Sequence, residues 1–284
     1  MARFSKVRYL LGAERKALAL ALRAAALPAT LPFRRGDRLL VARLWDVCWG
    51  SLRRGVYPEV ELTSLMSRDD EVRLLDLPAE VYHIADSKLL AVAALARRAR
   101  PRIAFEMGTA DGRTTRNLAA NLDTEGHVYT LSLPLEQDPI HADLQSVPIG
   151  TRLRGTPEEG RTTQLLGDSR TFDFAPYRGR CGLVFIDADN AEHSVLANSR
   201  TALDLVDRES AVILWNDALS FGTRVALPRL MRQGGLPIHL IAGKGLGLLC
   251  FAGGAAVTPQ EWADRLDRAH TAPIPSLSLN ATGV

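Results

Sequence analysis

Residues 102 to 115 read "RIAFEMGTADGRTT", and the reading of this stretch decides the fold. An apolar run leads into Glu106 and Gly108, Gly112 follows four residues later, and "RTTRNLAANL" then opens a helical pattern. A strand that ends in glycine and runs straight into a helix is a strand, turn and helix unit in which backbone can come close to a ligand. The two glycines do not follow the G-x-G-x-x-G order of a pyrophosphate-binding turn, which weighs against NAD or FAD.

Working outward, short apolar runs rich in β-branched and aromatic residues alternate with helical patterns. "HVYTLSLP", "TTQLLGDS", "CGLVFIDAD" and "SAVILWND" read as strands, and "EHSVLANSRTALDLV" reads as a helix. Such alternation predicts a parallel sheet with helices on both faces. Near the end, "LPIHLIAG" and "LGLLCFAG" are separated only by Lys244 and Gly245. That spacing is too short for a helical crossover, so the two runs pair antiparallel. Upstream, "VYHIADSKLLAVAALARRARP" predicts a helix that stops before Pro101.

With 284 residues, 46% of them hydrophobic and 24% charged, the chain has room for one large domain or for a domain with an extension. Three widely spaced cysteines, Cys48, Cys181 and Cys250, argue against a disulfide framework and fit a cytoplasmic location. The net charge of +3 conceals an asymmetry: residues 1–54 carry 12 Lys or Arg against 3 Asp or Glu, and the rest carries 23 against 29. "FSKVRYLLGAERKALALALRAAAL" lacks an apolar span of ~20 residues and so does not read as a membrane crossing. A solvated helical extension, a peripheral contact to a membrane surface or an acidic partner, and a transit peptide stay open as its role. Residues 1–78 are thus read as a basic, mainly helical extension, 79–270 as the domain, and 271–284 as a frayed tail. A homo-oligomer contact is compatible with this division.

The order of "RIAFEMGTADGRTTRNLAANL", "HVYTLSLP", "LLGDSRTFDFAPY", "GLVFIDADN" and "AVILWND", closed by a hairpin, resembles the class I S-adenosylmethionine-dependent methyltransferases. More narrowly, it looks like their small-molecule O-methyltransferase branch, over about residues 80 to 253. The resemblance implies an α/β Rossmann-like three-layer sandwich. Its mostly parallel seven-stranded sheet would run in the order 3-2-1-4-5-7-6, with the last strand antiparallel. It also implies transfer of a methyl group from S-adenosylmethionine to a hydroxyl of a small-molecule acceptor of sugar, phenolic or polyketide type.

Carried over residue by residue, Glu106 matches the acid that holds the amino end of the cofactor's methionine part. Gly108, Thr109, Ala110 and Gly112 match the turn beneath it. Asp168, with Ser169 beside it, matches the position approaching the adenine amino group, and Asp187 faces the departing methyl group as the catalytic residue. Ser132 stands where the family usually has an acid that accepts both ribose hydroxyls, a loss of about 1 to 3 kcal/mol of binding; Glu136 is a candidate to reach back.

Two routes to the acceptor's proton follow. In one, Asp187 or a histidine is the base, with His193, His83 and His141 as candidates. In the other, Mg2+ held by Asp187, Asn216 and Asp217 lowers the hydroxyl's pKa. The plainer reading is that these carboxylates cap the helices that follow. Phe172, Phe174, Tyr177 and Trp215 are read as stacking on an acceptor or as packing at strand ends. "DADNAEHS" lacks the Pro-Pro-aromatic element expected for methylation of a flipped base, so there is no strong case for nucleic acid. Ser132 and the "ND" order at residues 216–217 motivate the rival expectation, an inactive methyltransferase-like binding or assembly module.

Overall fold

The computed structural model describes residues 57–77, 79, 83–137, 148–220 and 222–271. The basic stretch 1–54, His141 and the tail beyond Thr271 lie outside the described residues. One sheet contains β1 (Glu59–Val60), β2 (Ile103–Met107), β3 (His127–Ser132), β4 (Thr162–Leu166), β5 (Leu183–Ile186), β6 (Ser210–Trp215), β7 (His239–Ile241), β8 (Leu246–Ala252) and β9 (Ala255–Val257). The helices are α1 (Asp86–Ala99), α2 (Arg113–Asn121), α3 (Glu192–Leu205), α4 (Thr223–Gly234) and α5 (Pro259–Thr271).

The strands lie side by side as β4-β3-β2-β5-β6-β8-β7, with β1 parallel beyond β7 and β9 antiparallel on β8. Counted with β2 as the first strand of the unit, the first seven give the order 3-2-1-4-5-7-6, and β8 runs antiparallel to both its neighbours. This is the class I methyltransferase fold expected from the sequence, extended by two short edge strands. The predicted hairpin pairs His239 with Leu248 and Ile241 with Leu246, as its two-residue separation requires.

Because side chains alternate across a strand, β6 feeds two cores. Ala211, Ile213 and Trp215 face α3 and α4, where Val195, Leu205, Ala226 and Leu227 are buried. Val212 and Leu214 face α1, α2 and α5, through Leu89, Leu95, Leu118 and Trp262. A Leu or Phe buried this fully contributes roughly 1.5 to 3 kcal/mol, so each face of the sheet is held independently by many such groups.

The structure starts one expected helix later and adds two helices, α4 and α5, that the sequence reading did not anticipate. Helix α1 begins at Asp86, because Ala85 is extended with ψ 146° and the preceding chain is held by Arg113, whose Nη1 donates to the Ile84 carbonyl at 2.9 Å. Helix α4 contains Pro228, the usual mark of a helix end, and continues through it. Helix α5 opens with a reciprocal cap: Thr258 N–H donates to Glu261 Oε2 at 2.9 Å and Glu261 N–H to Thr258 Oγ1 at 3.3 Å, a signal legible in "TPQE".

Residues 57–77, assigned from sequence to the extension, pack into this same body. Leu65 is fully buried, and β1 pairs with β7. Asn117 and Asn121, one turn apart on α2, grip the incoming chain with both ends of their amides. Asn117 accepts from Leu75 N–H at 2.8 Å and donates to Leu75 O at 3.1 Å. Asn121 does the same to Arg73 at 2.8 Å each way. The i, i+4 spacing places the two amides on one helix face at the period of an extended strand. Among the described residues no helix is long and apolar enough to cross a membrane.

Candidate functional site at the carboxyl edge of the sheet

Glu106 lies within β2 and is fully buried. Its Oε2 accepts hydrogen bonds from Thr115 and, at 2.6 Å, from Thr130. Thr130 in turn meets Thr109 Oγ1 at 2.7 Å, so three hydroxyls tie together β2, β3 and the start of α2. Oε1 is buried without a hydrogen-bond partner among the described residues. Burial pushes the carboxyl up to about 8, and the two threonine bonds only partly oppose that rise. A buried acceptor left unmet is costly, and this one suits an ammonium group.

The turn after β2 is built at close quarters. Gly108 has φ +110°, and a Cβ there would meet the Asp187 carbonyl oxygen at 2.1 Å, so glycine is required to seat β2 against the end of β5. Ala110 also takes positive φ, 46°, and Gly112 leads into α2 at φ 92°. Asp111, almost wholly buried, is held by Arg152 Nε at 2.5 Å and His83 Nε2 at 2.8 Å. Burial works to raise its carboxyl, and the bonds from Arg152, His83 and the Arg113 N–H outweigh that, leaving it below its usual value. The Gly150 and Arg152 N–H groups reach the carbonyls of Ala110 and Asp111, so residues 150–152 latch the turn from outside. His83, expected on the first helix, instead precedes it and serves this latch.

Ser132 ends β3, and its carbonyl accepts from Gly167 N–H at 2.9 Å; Glu136 is exposed in the following turn. Asp168 follows β4, with Ser169 half-buried beside it. The Asp168 carboxylate is gripped by its own neighbour: Arg170 Nε lies 3.0 Å from both oxygens and Nη2 lies 2.5 Å from Oδ2. These bonds hold the carboxyl below its usual value.

At the other half of the edge, Asp187 follows β5 and accepts from Asn216 Nδ2 at 2.7 Å. Asn216 and Asp217 follow β6, Asp217 in a left-handed conformation at φ 48° that turns consecutive side chains to one place. Lys88, from the first turn of α1, donates to Asn216 Oδ1 at 2.8 Å and to Asp217 Oδ1 at 2.5 Å. Asn190 Nδ2 donates to Asp217 Oδ2 at 3.4 Å, and Asn190 Oδ1 accepts from Thr223 Oγ1 at 3.1 Å.

Asp187, Asn216 and Asp217 are therefore brought together, as the magnesium reading expects, but with an ammonium between two of them and with the Asn216 amide nitrogen toward Asp187. That donor set does not fit Mg2+, which wants oxygens around it. Helix capping accounts for Asp189, which accepts from Ala191 N–H at 3.0 Å and from Ser194 Oγ at 2.7 Å. The Asp217 carboxylate instead meets Lys88 and Asn190, side chains from other elements. His193 is exposed on α3. Trp215 is buried, donating to Ser199 Oγ at 2.9 Å. Phe172, Phe174 and Tyr177 pack on one another and on Phe105, so packing explains all four aromatics. Lys88 is the site residue that sequence reasoning missed: it lies 128 and 129 positions from its partners, and only the topology brings them together.

No family model matches the chain, and no curated protein matches it either. Solved structures with a similar fold include an O-methyltransferase from Bacillus cereus in complex with SAH, 20% identical, covering 61% of this chain and 84% of that one at a TM-score of 0.46. Another is cofactor-bound Rv0187 from MTB, 20% identical over 80% of this chain and 94% of that one, TM-score 0.45. A third is TomG from Streptomyces achromogenes, an O-methyltransferase involved in tomaymycin synthesis and in complex with SAM, 21% identical over 73% and 96%, TM-score 0.44. The assignment of the fold rests on the strand order itself.

Proposed function

We propose that this protein is an S-adenosylmethionine-dependent methyltransferase acting on a hydroxyl of a small molecule, of sugar, phenolic or polyketide type. The observation that carries the reading is Glu106: a buried carboxyl with one unmet oxygen, beside a glycine turn, on the first strand of a class I sheet. The cofactor's amino group pairs with Glu106, Gly108 to Gly112 pass beneath its methionine part, Ser132 meets the ribose and Asp168 with Ser169 the adenine. The sulfonium is itself a strong electrophile, so this chain's contribution is to hold the acceptor oxygen in line behind the methyl carbon. The S–CH3 bond breaks as the O–CH3 bond forms, S-adenosylhomocysteine leaves, and the hydroxyl proton passes to Asp187.

Calorimetric titration with S-adenosylmethionine tests the reading, with micromolar binding expected and NADH as the control. A protein that binds neither is the second reading, the inactive binding module. That reading is favoured by the Asp168 carboxylate already engaged by Arg170 and by serine at position 132. Methylation of any hydroxyl in an acceptor screen removes it.

A further inference from the structure

The acceptor end of the site contains a cation of its own. Lys88 is on α1, whose amino end reaches the same edge of the sheet as the ends of β5 and β6. Its side chain is largely sheltered at 18% exposure, and its ammonium lies on Asn216 Oδ1 and Asp217 Oδ1 together. Those are two of the three groups that a divalent ion at this edge would use. The third, Asp187 Oδ1, is turned toward the Asn216 amide nitrogen at 2.7 Å, an arrangement in which the amide donates and cannot also ligate through that atom.

A divalent ion bound to Asn216 and Asp217 at ordinary oxygen distances of about 2.1 Å would stand against the ammonium. Two like charges so close, with only partial solvent access, repel strongly. Asp217 takes the left-handed backbone that Asp tolerates better than most residues, and in it the carboxylate meets Lys88. An ammonium carries three N–H donors, of which the described residues take two.

We propose that Lys88 is the resident cation of this site: its ammonium takes the position a divalent metal would hold among Asp187, Asn216 and Asp217, and presents its remaining N–H to the acceptor oxygen. The inference rests on the methyltransferase reading for its last clause only. The exclusion of metal by Lys88 stands on the ion pair itself.

The test uses the full chain with S-adenosylhomocysteine and Mn2+ as separate probes. With the wild-type protein, calorimetry and the Mn2+ paramagnetic resonance signal are expected to show no binding below about 1 mM, an affinity ordinary for weak oxygen sites. Lys88→Ala is expected to bind Mn2+ at least tenfold more tightly, and adding Asp217→Asn to that variant is expected to abolish the gain. Lys88→Met keeps the aliphatic stem, so its melting temperature and S-adenosylhomocysteine affinity, both expected to match wild type, show that the fold survives. Micromolar Mn2+ binding by wild type that disappears in Asp187→Asn would overturn the proposal. So would equal Mn2+ affinities for wild type and Lys88→Ala. Failure of S-adenosylhomocysteine to bind wild type removes the methyltransferase reading instead, and leaves the metal comparison readable.

Discussion

The two halves of the carboxyl edge are built by different means. Around Glu106, the groups are buried and linked by hydroxyls and backbone: Thr115 and Thr130 donate to one carboxyl, and Thr109 meets Thr130. Around Asp187, they are unevenly buried and tied by an ammonium: Lys88, the buried Asn216, the half-exposed Asp217 and the exposed Asn190 form a polar chain. A cofactor whose shape never varies can be met by a rigid, dry cradle. An acceptor is better met by polar side chains with water within reach. Gly108 is the seam between the halves, since it lies on the cradle side and touches the backbone of Asp187.

Cutting that seam should have the largest effect. A methyl group at Gly108 meets a carbonyl oxygen at 2.1 Å on backbone already at φ +110°, so Gly108→Ala combines overpacking with strain. A loss of about 4 kcal/mol is expected, seen as a fall of roughly 10 °C in melting temperature. Normal melting with cofactor affinity alone reduced would show that the turn tolerates displacement. Next is the grip of α2 on the entering chain: Asn117→Ala leaves the Leu75 N–H and carbonyl unpartnered, for about 2 kcal/mol. Denaturant unfolding would detect that, and an unchanged midpoint would mean that water replaces the amide.

The pH response separates the halves more finely. With Glu106 raised to about 8 from an ordinary 4.5, the folded protein without ligand holds a proton that the unfolded chain releases. The associated stability is fully present below pH 4.5 and is lost as pH rises through about 8. An ammonium ligand needs the ionised form, so S-adenosylhomocysteine affinity should climb up to tenfold per pH unit between 6 and 8, then level off. Glu106→Gln should flatten that climb. A wild-type affinity already flat over the interval would show that Glu106 does not meet the ligand. The smallest effect is expected from Arg170→Ala, which releases the half-buried Asp168 carboxylate. Melting should not move, while cofactor affinity rises a few-fold if Asp168 receives the adenine amino group; a fall would assign that contact to Arg170.

The cradle was legible in the sequence because its demands are local. Glu106, Gly108 and Gly112 lie within seven residues, and their spacing reflects a backbone that must turn sharply between a strand and a helix. The sheet was legible for a related reason: continuous apolar runs such as LVFI report strands buried on both faces, and a two-residue gap at Lys244 and Gly245 permits only one pairing. Lys88 was not legible. A lysine in the first turn of an Ala/Leu-rich helix looks like any solvated charge, and its partners are fixed only once β6 is in place beside α1. The asparagines of α2 were hidden likewise, since Asn on a helix signals nothing until an extended chain lies alongside it.

The paired amides on α2 also decide where this protein can be shortened. A chain begun at residue 79, where the sequence places the domain boundary, would lack the partners of Asn117 and Asn121, remove a strand from the sheet edge, and take Asp76 from Arg116 and its carbonyl from Arg113. Both arginines belong to the helix that starts at the glycine turn after β2. Trimming the entering chain would therefore loosen that turn from behind, and a fragment that keeps this packing begins no later than Tyr57.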